Sequence, residues 1–462
     1  MKLIIIGGGI AGLSAAYYAQ KQDPSVEITL LDADSHWGGK ITTDRVDGFV
    51  IEGGPDTFLA TKKWGVELCK ELGLSERLHG TNPKTKNTYV LHKNRLEALP
   101  DGLAMMIPGK VMPMLTTGLL NWAQKLRIGF DFVLPVKKGD DDESLGNFIS
   151  RRMGRATYEN LIEPLMSGIY AGDGDKLSLQ STFPFLRDFE RKYGSLARGA
   201  MKMYRARVKS QQNTGSRSIF LTPTTGLAEM VEALVNTLKN NGADLRLNTP
   251  TSQISKKGDA YQVDLADGTS LQADALIFAT PPYVTGKLLA SHLPELASVL
   301  ESIPYVSTAT ISLAYKLTDL PRPLDGYGYV IPRREGRRAL ACTWTSTKFP
   351  HRAPEDHALL RVFVGRAGQE DDIAWDDESL LEIAREELEL TLGITAEPLV
   401  NRVFIWEKAM PQYNLGHPEK LTKIDAELAE MSNLAFAGNG YRGIGIPDCI
   451  NSGKLAVEKI LS

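Results

Sequence analysis

The stretch that most constrains this chain is its first thirty-two residues. An apolar run, Lys2-Leu-Ile-Ile-Ile6, enters Gly7-Gly-Gly9-Ile-Ala-Gly12; a helical stretch follows, and a second apolar run, Glu27-Ile-Thr-Leu-Leu31, ends in Asp32. Strand, Gly-x-Gly-x-x-Gly, helix, strand and an acid twenty positions after Gly12 form a complete βαβ dinucleotide-binding unit. Gly7 permits the tight turn, Gly9 lets a pyrophosphate reach the backbone, and Gly12 lets the helix pack on the strand. The helix N-terminus faces the phosphates, and Asp32 can accept hydrogen bonds from ribose hydroxyls. The fold class expected is therefore α/β, with a parallel sheet at its centre.

At 462 residues the chain is too long for one hydrophobic core, so two or three domains are expected. A net charge of -3 carries no electrostatic footprint for nucleic acid. Cys69, Cys342 and Cys449 lie far apart with no CxxC, which favours a reducing compartment and offers no disulfide framework. The seven histidines show no HExxH pairing, so no metal site is expected. With the first strand starting at residue 2 there is no room for a signal peptide, and a cytoplasmic protein is expected.

Further along, Trp37-Gly-Gly-Lys40 and Gly53-Gly-Pro-Asp-Thr57 are glycine-rich segments suited to a backbone lying against a flat ring. From 102 to 130 the chain has no acid before Asp131 but carries Lys110, Lys125 and Arg127 among Met, Leu and Trp122. Its longest uncharged apolar stretch, 111–123, is too short to cross a bilayer; it reads either as a membrane-surface segment or as a buried helical hairpin. Residues 137–143 read as a solvated charged connector, 145–162 as helix, 167–173 as loop, and 205–218 as an exposed loop. A helix is expected over 228–240, followed by a β-meander built from 245–247, 261–265, 268–271 and 275–279. Strands over 308–314, 327–331, 340–344 and 360–364 suggest an antiparallel sheet, with a helix at 380–392. Near the end, Leu434-Ala-Phe-Ala-Gly-Asn-Gly-Tyr-Arg-Gly443 repeats the strand and GxGxxG. A second nucleotide site fails there, because the acid it needs would fall at or beyond the last residue. The helix read over 449–461 more plausibly points its N-terminus at something already bound.

On GGGIAGL (7–13), GGK (38–40), GPDTF (54–58), ENLIEPLMSGIYAGD (159–173), ACTWT (341–345), WEKAMPQYNLGH (406–417) and GIGIPDC (443–449), the chain resembles the flavin-containing porphyrinogen oxidases of haem synthesis. Within them it is more similar to the Gram-positive type acting on coproporphyrinogen III. The first two motifs are shared by all amine-oxidase-like flavoproteins; IEPLMSGIYAGD and MPQY followed by GH are far narrower.

The resemblance implies a monoamine-oxidase-like architecture. A Rossmann-like FAD-binding domain would be assembled from 1–60, 222–282 and 400–462, with a mixed α+β substrate domain from 61–95 and 283–399 and a helical, membrane-facing domain from 96–205. It implies non-covalent FAD, a porphyrinogen substrate, dioxygen as acceptor and neighbouring haem-pathway enzymes as partners. The flavin N5 would carry the chemistry, taking a hydride from a bridging carbon in each of three rounds with release of hydrogen peroxide, so no protein residue is assigned as catalytic. FAD contacts would fall on Gly7, Gly8, Gly9, Ile10, Ala11, Gly12, Asp32, Ala33, Lys40, Gly54, Pro55, Asp56, Thr57, Thr251, Trp406, Ile444, Gly445 and Ile446. Lys40 would neutralise pyrophosphate charge, Trp406 would offer a plane beside the isoalloxazine, and Thr251 would hold the adenine ring.

Substrate contacts carried over by position are Lys62 to a propionate, Gly168 through its backbone, Tyr327 stacking on a pyrrole, and Val330 and Phe363 walling the pocket. Lys63 and Arg45 are further cations for a tetracarboxylate. One departure stands out: the protoporphyrinogen-specific branch has an arginine after Leu-Pro-x-Gly-Leu, whereas here Leu99-Pro-Asp-Gly-Leu103 is followed by Ala104. The alternatives are a protoporphyrinogen IX oxidase, an amine oxidase, a carotenoid desaturase, or a non-enzymatic escort with a decayed nucleotide site. The covalent-flavin amine oxidases carry a cysteine where 406–417 has none, and the intact Gly7, Gly9, Gly12 and Asp32 speak against decay.

Overall fold

The computed structural model describes residues 1–462 apart from Lys86, Met105, 215–217 and Ser432; for Ala104, Arg207 and 210–214 only the backbone is described. The opening unit forms as the sequence dictates: strand Lys2–Ile6, helix Ile10–Gln22, strand Glu27–Leu31. Five parallel strands make the sheet, in the order Asp244–Arg246, Glu27–Leu31, Lys2–Ile6, Ala275–Phe278, Leu434–Phe436. The period of two sorts its side chains between two cores. Leu3, Ile5, Leu30 and Ile277 meet helices Ile10–Gln22, Ala228–Asn240 and Ile446–Ile460. Ile4, Ile6, Leu276 and Phe278 meet a three-stranded meander, Thr251–Lys257, Ala260–Leu265 and Ser270–Ala273.

The meander is thus not the one expected. The 245–247 and 275–279 runs enter the parallel sheet instead: Ala275–Phe278 is buried throughout and lacks the alternation of a half-exposed strand, while Asp244–Arg246 is a partly exposed edge strand placed there by its pairing with Glu27–Leu31. The last helix starts at Ile446, not Cys449: Pro447 suits a first helical turn, and Asp448 reaches back to the Gly445 N–H. This helix crosses the first one closely, since a Cβ on Gly453 would lie 2.3 Å from the Ala11 carbonyl oxygen.

A seven-stranded sheet stands beside this unit, ordered Val400–Pro411, Tyr305–Lys316, His357–Val364, Ala339–Trp344, Gly326–Val330, Asn87–His92, Arg95–Ala98. All pairings are antiparallel except Gly326–Val330 with Asn87–His92. One face packs on helix Asp377–Leu392 through Ile311, Leu360, Val362 and Leu388; the other turns toward the glycine-rich segments. Strand Val400–Pro411 is an edge strand here, so the stretch from 400 that sequence grouped with the flavin-binding unit begins in this sheet.

The remaining core is helical. The predicted 145–162 helix breaks at Gly154 (φ +93), and a wide π-type turn comes next at Tyr158–Ile162. Pro164 has no N–H to close the preceding turn, which accounts for the widening. The chain then stays helical over Glu163–Tyr170, so the expected loop begins only at Ala171, whose φ of +49 ends the helix. Residues 205–214 are not a loop either. They complete helix Leu196–Thr214, whose Lys, Arg and Gln residues are good helix formers; 215–217 lie outside the described residues. In the 137–143 connector Glu143 is not solvated: it pairs with Arg151 at 2.8 Å and Arg187 at 2.6 Å.

Segment 102–130 is neither a helical hairpin nor one amphipathic helix. Short strands Leu103–Ala104 and Ile107–Pro108 lead to helices Met112–Thr116 and Trp122–Gly129. Met114, Leu119, Leu120 and Ile128 enter the helical core, while Met112, Trp122 and Leu126 stay about two-thirds exposed. Among the described residues no helix is long and apolar enough to cross a membrane.

The Gly453 crossing can be tested directly. Gly453→Val should cost about 1–3 kcal/mol of unfolding free energy by overpacking. An unchanged urea midpoint would show that the two helices do not meet there.

Candidate cofactor and substrate site

Three glycine-rich segments touch through their backbones. The Gly38 N–H donates to the Gly8 carbonyl at 2.9 Å, and a Cβ on Gly54 would fall 1.9 Å from the Lys40 carbonyl oxygen. Within the first turn the glycines differ in what they face. A Cβ on Gly12 would collide with the Gly7 carbonyl oxygen at 1.9 Å, and one on Gly7 (φ +109) with Ala279 at 2.8 Å, whereas one on Gly9 meets nothing within 4 Å. Gly7 and Gly12 are needed by the fold; at Gly9 the space is open, as a bound pyrophosphate would require.

Asp32 lies at the end of its strand and accepts from the Gly8 and Asp34 N–H groups; burial raises its pKa against those bonds. Ala33 is carried between Asp32 and Asp34, whose carbonyls take the Thr249 and Asn248 N–H groups at 2.8 and 2.9 Å. That brings Thr251, which starts the meander, to the same end of the sheet; its hydroxyl is buried with no partner among the described residues. The hydroxyl of Tyr305 is sealed and unpartnered too, and it lies against Gly440 in the turn before the last helix. Lys40 has no carboxylate within ion-pair reach among the described residues, and burial pushes its ammonium down to about 8. An open glycine cradle, an uncompensated cation and two orphaned hydroxyls fit an extended anionic dinucleotide carrying a polar ring.

The third segment is clamped by the other sheet. The Gly53 carbonyl accepts from the Thr310 hydroxyl at 2.6 Å, the Trp406 indole N–H at 2.9 Å and the Arg361 guanidinium at 3.2 Å. Arg361 also donates to the Gly54 carbonyl. Pro55 is next, then Asp56, which holds Lys348 at 2.7 Å; burial alone would raise the Asp56 carboxyl, but Lys348 and Arg361 outweigh it and hold it at about 2. Thr57 donates to Asp56 at 3.0 Å. Behind this loop Glu52 and Arg352 form a buried pair at 2.8 Å. Ile444 packs against the helical core, Gly445 caps the last helix and Ile446 opens it. Trp406 therefore has a second duty beyond any ring contact, tying its strand to the loop.

The substrate residues are only partly brought together. Val330 and Phe363 both pair with Ala341, so they share one face of the seven-stranded sheet. Gly168 is exposed, with nothing within 4 Å of a Cβ. Tyr327 is half-buried and its hydroxyl donates to the Asn82 carbonyl at 2.8 Å, which fixes the ring that was expected to stack. The cations are the main correction. Lys62 is not free: its Nζ lies 2.6 Å from both carboxylate oxygens of Asp448. Lys63 is 3.8 Å from Glu67 one turn along its helix, and Arg45 is spent on Glu232 at 2.8 Å and the Thr225 carbonyl at 2.7 Å. The side chain of Ala104 lies outside the described residues. The sequence reading missed Lys348, Arg361 and Asp448. A lone arginine inside Leu360-Arg-Val-Phe-Val364 was the available signal, as an inward cation in an alternating strand.

With this geometry in place the comparisons are direct. The chain belongs to the flavin-containing amine oxidoreductase family, whose model matches residues 10–461, and it is an FAD-dependent oxidase. Over its full length it is 40% identical to the coproporphyrinogen III oxidase of Bacillus subtilis strain 168 and covers 98% of that protein. It is 36% identical to the coproporphyrinogen III oxidase of Staphylococcus aureus, across 99% of this chain and 98% of that one. A crystal structure from Exiguobacterium sp. 255-15, of a protein named as a protoporphyrinogen oxidase, superposes with a TM-score of 0.87 at 35% identity, covering 99% and 98% of the two chains.

In this cradle the backbone of Gly7 to Gly12 and Lys40 would meet the pyrophosphate, Asp32 the ribose and Gly54 to Thr57 the ring system. Cys449, at the start of the last helix, is buried and its thiol is pushed up to about 12, so it is not poised to attack a flavin. Gly9→Leu should give folded, colourless protein, while Gly12→Leu should also lose stability; a yellow Gly9→Leu protein would refute the assignment of that space. A pyrophosphate bound beside Lys40 would restore its pKa, so FAD binding would take up a proton above pH 8. FAD affinity should therefore fall as pH rises past about 8, and the slope should vanish in Lys40→Met. Titration of the apoprotein with FAD across pH 7–10 checks this, and equal slopes in both proteins would contradict it.

Proposed function

We propose that this protein oxidises coproporphyrinogen III to coproporphyrin III, in haem synthesis, using dioxygen as acceptor. The observation that carries the reading is full-length similarity to proteins named for that reaction, joined to a cradle with every cofactor-facing glycine intact. When bound, the flavin supplies a two-electron acceptor that dioxygen can reoxidise.

The chain's own residues bind and orient. Val330, Ala341 and Phe363 offer an adjacent apolar strip on one sheet face, suited to a flat macrocycle. Arg361, 4.7 Å over the Phe363 ring, holds the Gly53 and Gly54 carbonyls and so fixes the loop expected against the flavin relative to that strip. Gly168 leaves room above, and Lys62 stands near the start of the last helix to meet a propionate. No side chain is assigned a proton. Aromatisation drives the reaction, and the residues contribute position and a dry cavity. A protoporphyrinogen reading is less favoured, because a cation follows Leu103 in that branch and Ala104 stands here.

Division into a flavin unit, a sheet unit and a helical unit belongs to the same reading, as does peripheral membrane contact of a cytoplasmic protein. What supports the last is an exposed apolar edge, Met112, Leu115, Trp122, Leu126 and Phe130, with Lys125 over the Trp122 ring at 4.8 Å. Exposed Arg198, Lys202, Arg205 and Lys209 extend the cationic side along helix Leu196–Thr214.

Steady-state oxidation of both porphyrinogens, followed by porphyrin fluorescence, should give the higher kcat/KM for coproporphyrinogen III. Lys62→Ala should reduce that preference a few-fold to about tenfold. Equal efficiencies in the wild type would remove the substrate assignment, and an unchanged ratio in the variant would remove the role of Lys62. In a separate assay the protein should co-sediment with anionic liposomes at low salt and less so after Trp122→Ser and Leu126→Ser; no sedimentation at low salt would leave the apolar edge without a membrane role.

A further inference from the structure

Lys62 caps helix Lys63–Glu71 and reaches Asp448 in the first turn of the last helix. The lysine side chain is 40% exposed and the carboxylate 12%. Asp448 has a second source of compensation: its Oδ2 accepts the Gly445 N–H at 3.2 Å, at the positive end of a helix of 15 residues. Its Cγ sits beneath Gly443 (φ +91), where a Cβ would come within 2.5 Å, so the turn holds the carboxylate in place. Lys62 has no second partner among the described residues.

Several elements converge on this pair. A Cβ on Gly65, in the helix that Lys62 caps, would touch Phe58 and Pro447. Asp448 also acts electrostatically on Tyr170, the last residue of the helix that bears Gly168. The pair thus stands at the helix start expected at the flavin.

Resting on the reading that Lys62 meets a substrate carboxylate, we infer that Asp448 is the resident counter-ion which that carboxylate displaces. Asp448 is then a positioning residue that sets how tightly the polycarboxylate is held. Before substrate arrives, Asp448 keeps the half-exposed Lys62 ammonium neutralised and held in place. On entry the propionate takes the half-exposed ammonium, and Asp448 stays with the helix N-terminus and the Gly445 N–H. An acid stranded in an apolar site would forbid the exchange, but one at a helix N-terminus does not. Substrate therefore gains only the margin by which it outcompetes Asp448 for Lys62, and that margin depends on both partners.

Coproporphyrin III, the fluorescent product of the proposed reaction, is the probe, titrated into the FAD-loaded enzyme at low salt with binding read from fluorescence quenching. Asp448→Asn should bind it about threefold tighter or more, with KM lowered and no matching rise in kcat. The gain should disappear in a Lys62→Ala background, and Asp448→Glu should return toward wild-type affinity. FAD content and far-UV circular dichroism report whether each variant is folded, and Asp448→Ser replaces Asp448→Asn if the latter is not. Weaker or unchanged binding in the neutral variant, or the same gain without Lys62, would overturn the exchange while sparing the Lys62 reading. Wild-type affinity in Lys62→Ala alone would instead overturn that reading, and the exchange with it.

Discussion

One carbonyl oxygen ties a glycine-rich loop to the seven-stranded sheet of this protein. That of Gly53 receives a hydroxyl from strand Tyr305–Lys316, a guanidinium from strand His357–Val364 and an indole N–H from strand Val400–Pro411. Three donors on one acceptor leave the segment no alternative position. The next residues along the chain inherit that precision: Gly54 against the Lys40 backbone, and Asp56 against Lys348 and Arg361. Breaking a buried charge pair by removing one partner costs about 3–5 kcal/mol, so the loop is fixed electrostatically as well as sterically. On the proposed reading the parallel sheet would supply the pyrophosphate cradle, and the antiparallel sheet would fix where a ring attached to that pyrophosphate lies.

Charge is distributed with little to spare around this junction. Glu52 faces Arg352, Asp56 faces Lys348, Asp448 faces Lys62, and Glu163 lies 3.9 Å from Arg366. Lys40 is different, a buried cation with no acid beside it among the described residues, where on the proposed reading a ligand would bring the anion. For a substrate bearing several carboxylates, recognition by exchange of counter-ions is the natural consequence of this economy. A bare lysine waiting in a half-buried site would pay desolvation without recompense, whereas a paired one is held ready and released.

The opening unit was legible because each of its residues has one physical use: Gly7, Gly9, Gly12 and Asp32 each answer to a steric or hydrogen-bonding demand visible in spacing. Four strands of the antiparallel sheet were legible from alternation, and helix 228–240 from its periodicity; Asn87–His92, Arg95–Ala98 and Val400–Pro411 were not read as strands. Less was readable where non-local partners decide. Leu245, in an alternating Asp-Leu-Arg-Leu stretch, and Ala275, in an apolar run, could each serve either sheet, and only pairing with strands far away in sequence sends them to the parallel one. The helix over 205–214 was hidden by its polarity, since a solvated helix and a solvated loop have similar composition. The partner of Lys62 was hidden by distance, 386 positions along the chain. Asp448 stood within a motif that marks the resemblance, yet nothing local tells a capping aspartate from a counter-ion.

The central claim is that FAD held in this cradle is reduced directly by a porphyrinogen lying on the sheet face. The most direct measurement is anaerobic mixing of the FAD-loaded protein with coproporphyrinogen III in a stopped-flow spectrometer. The account predicts rapid bleaching of the flavin absorbance by one substrate-derived electron pair per flavin, and return of the yellow form with porphyrin fluorescence once dioxygen is admitted. Flavin that stays oxidised in excess coproporphyrinogen III, while an amine bleaches it, would contradict the account.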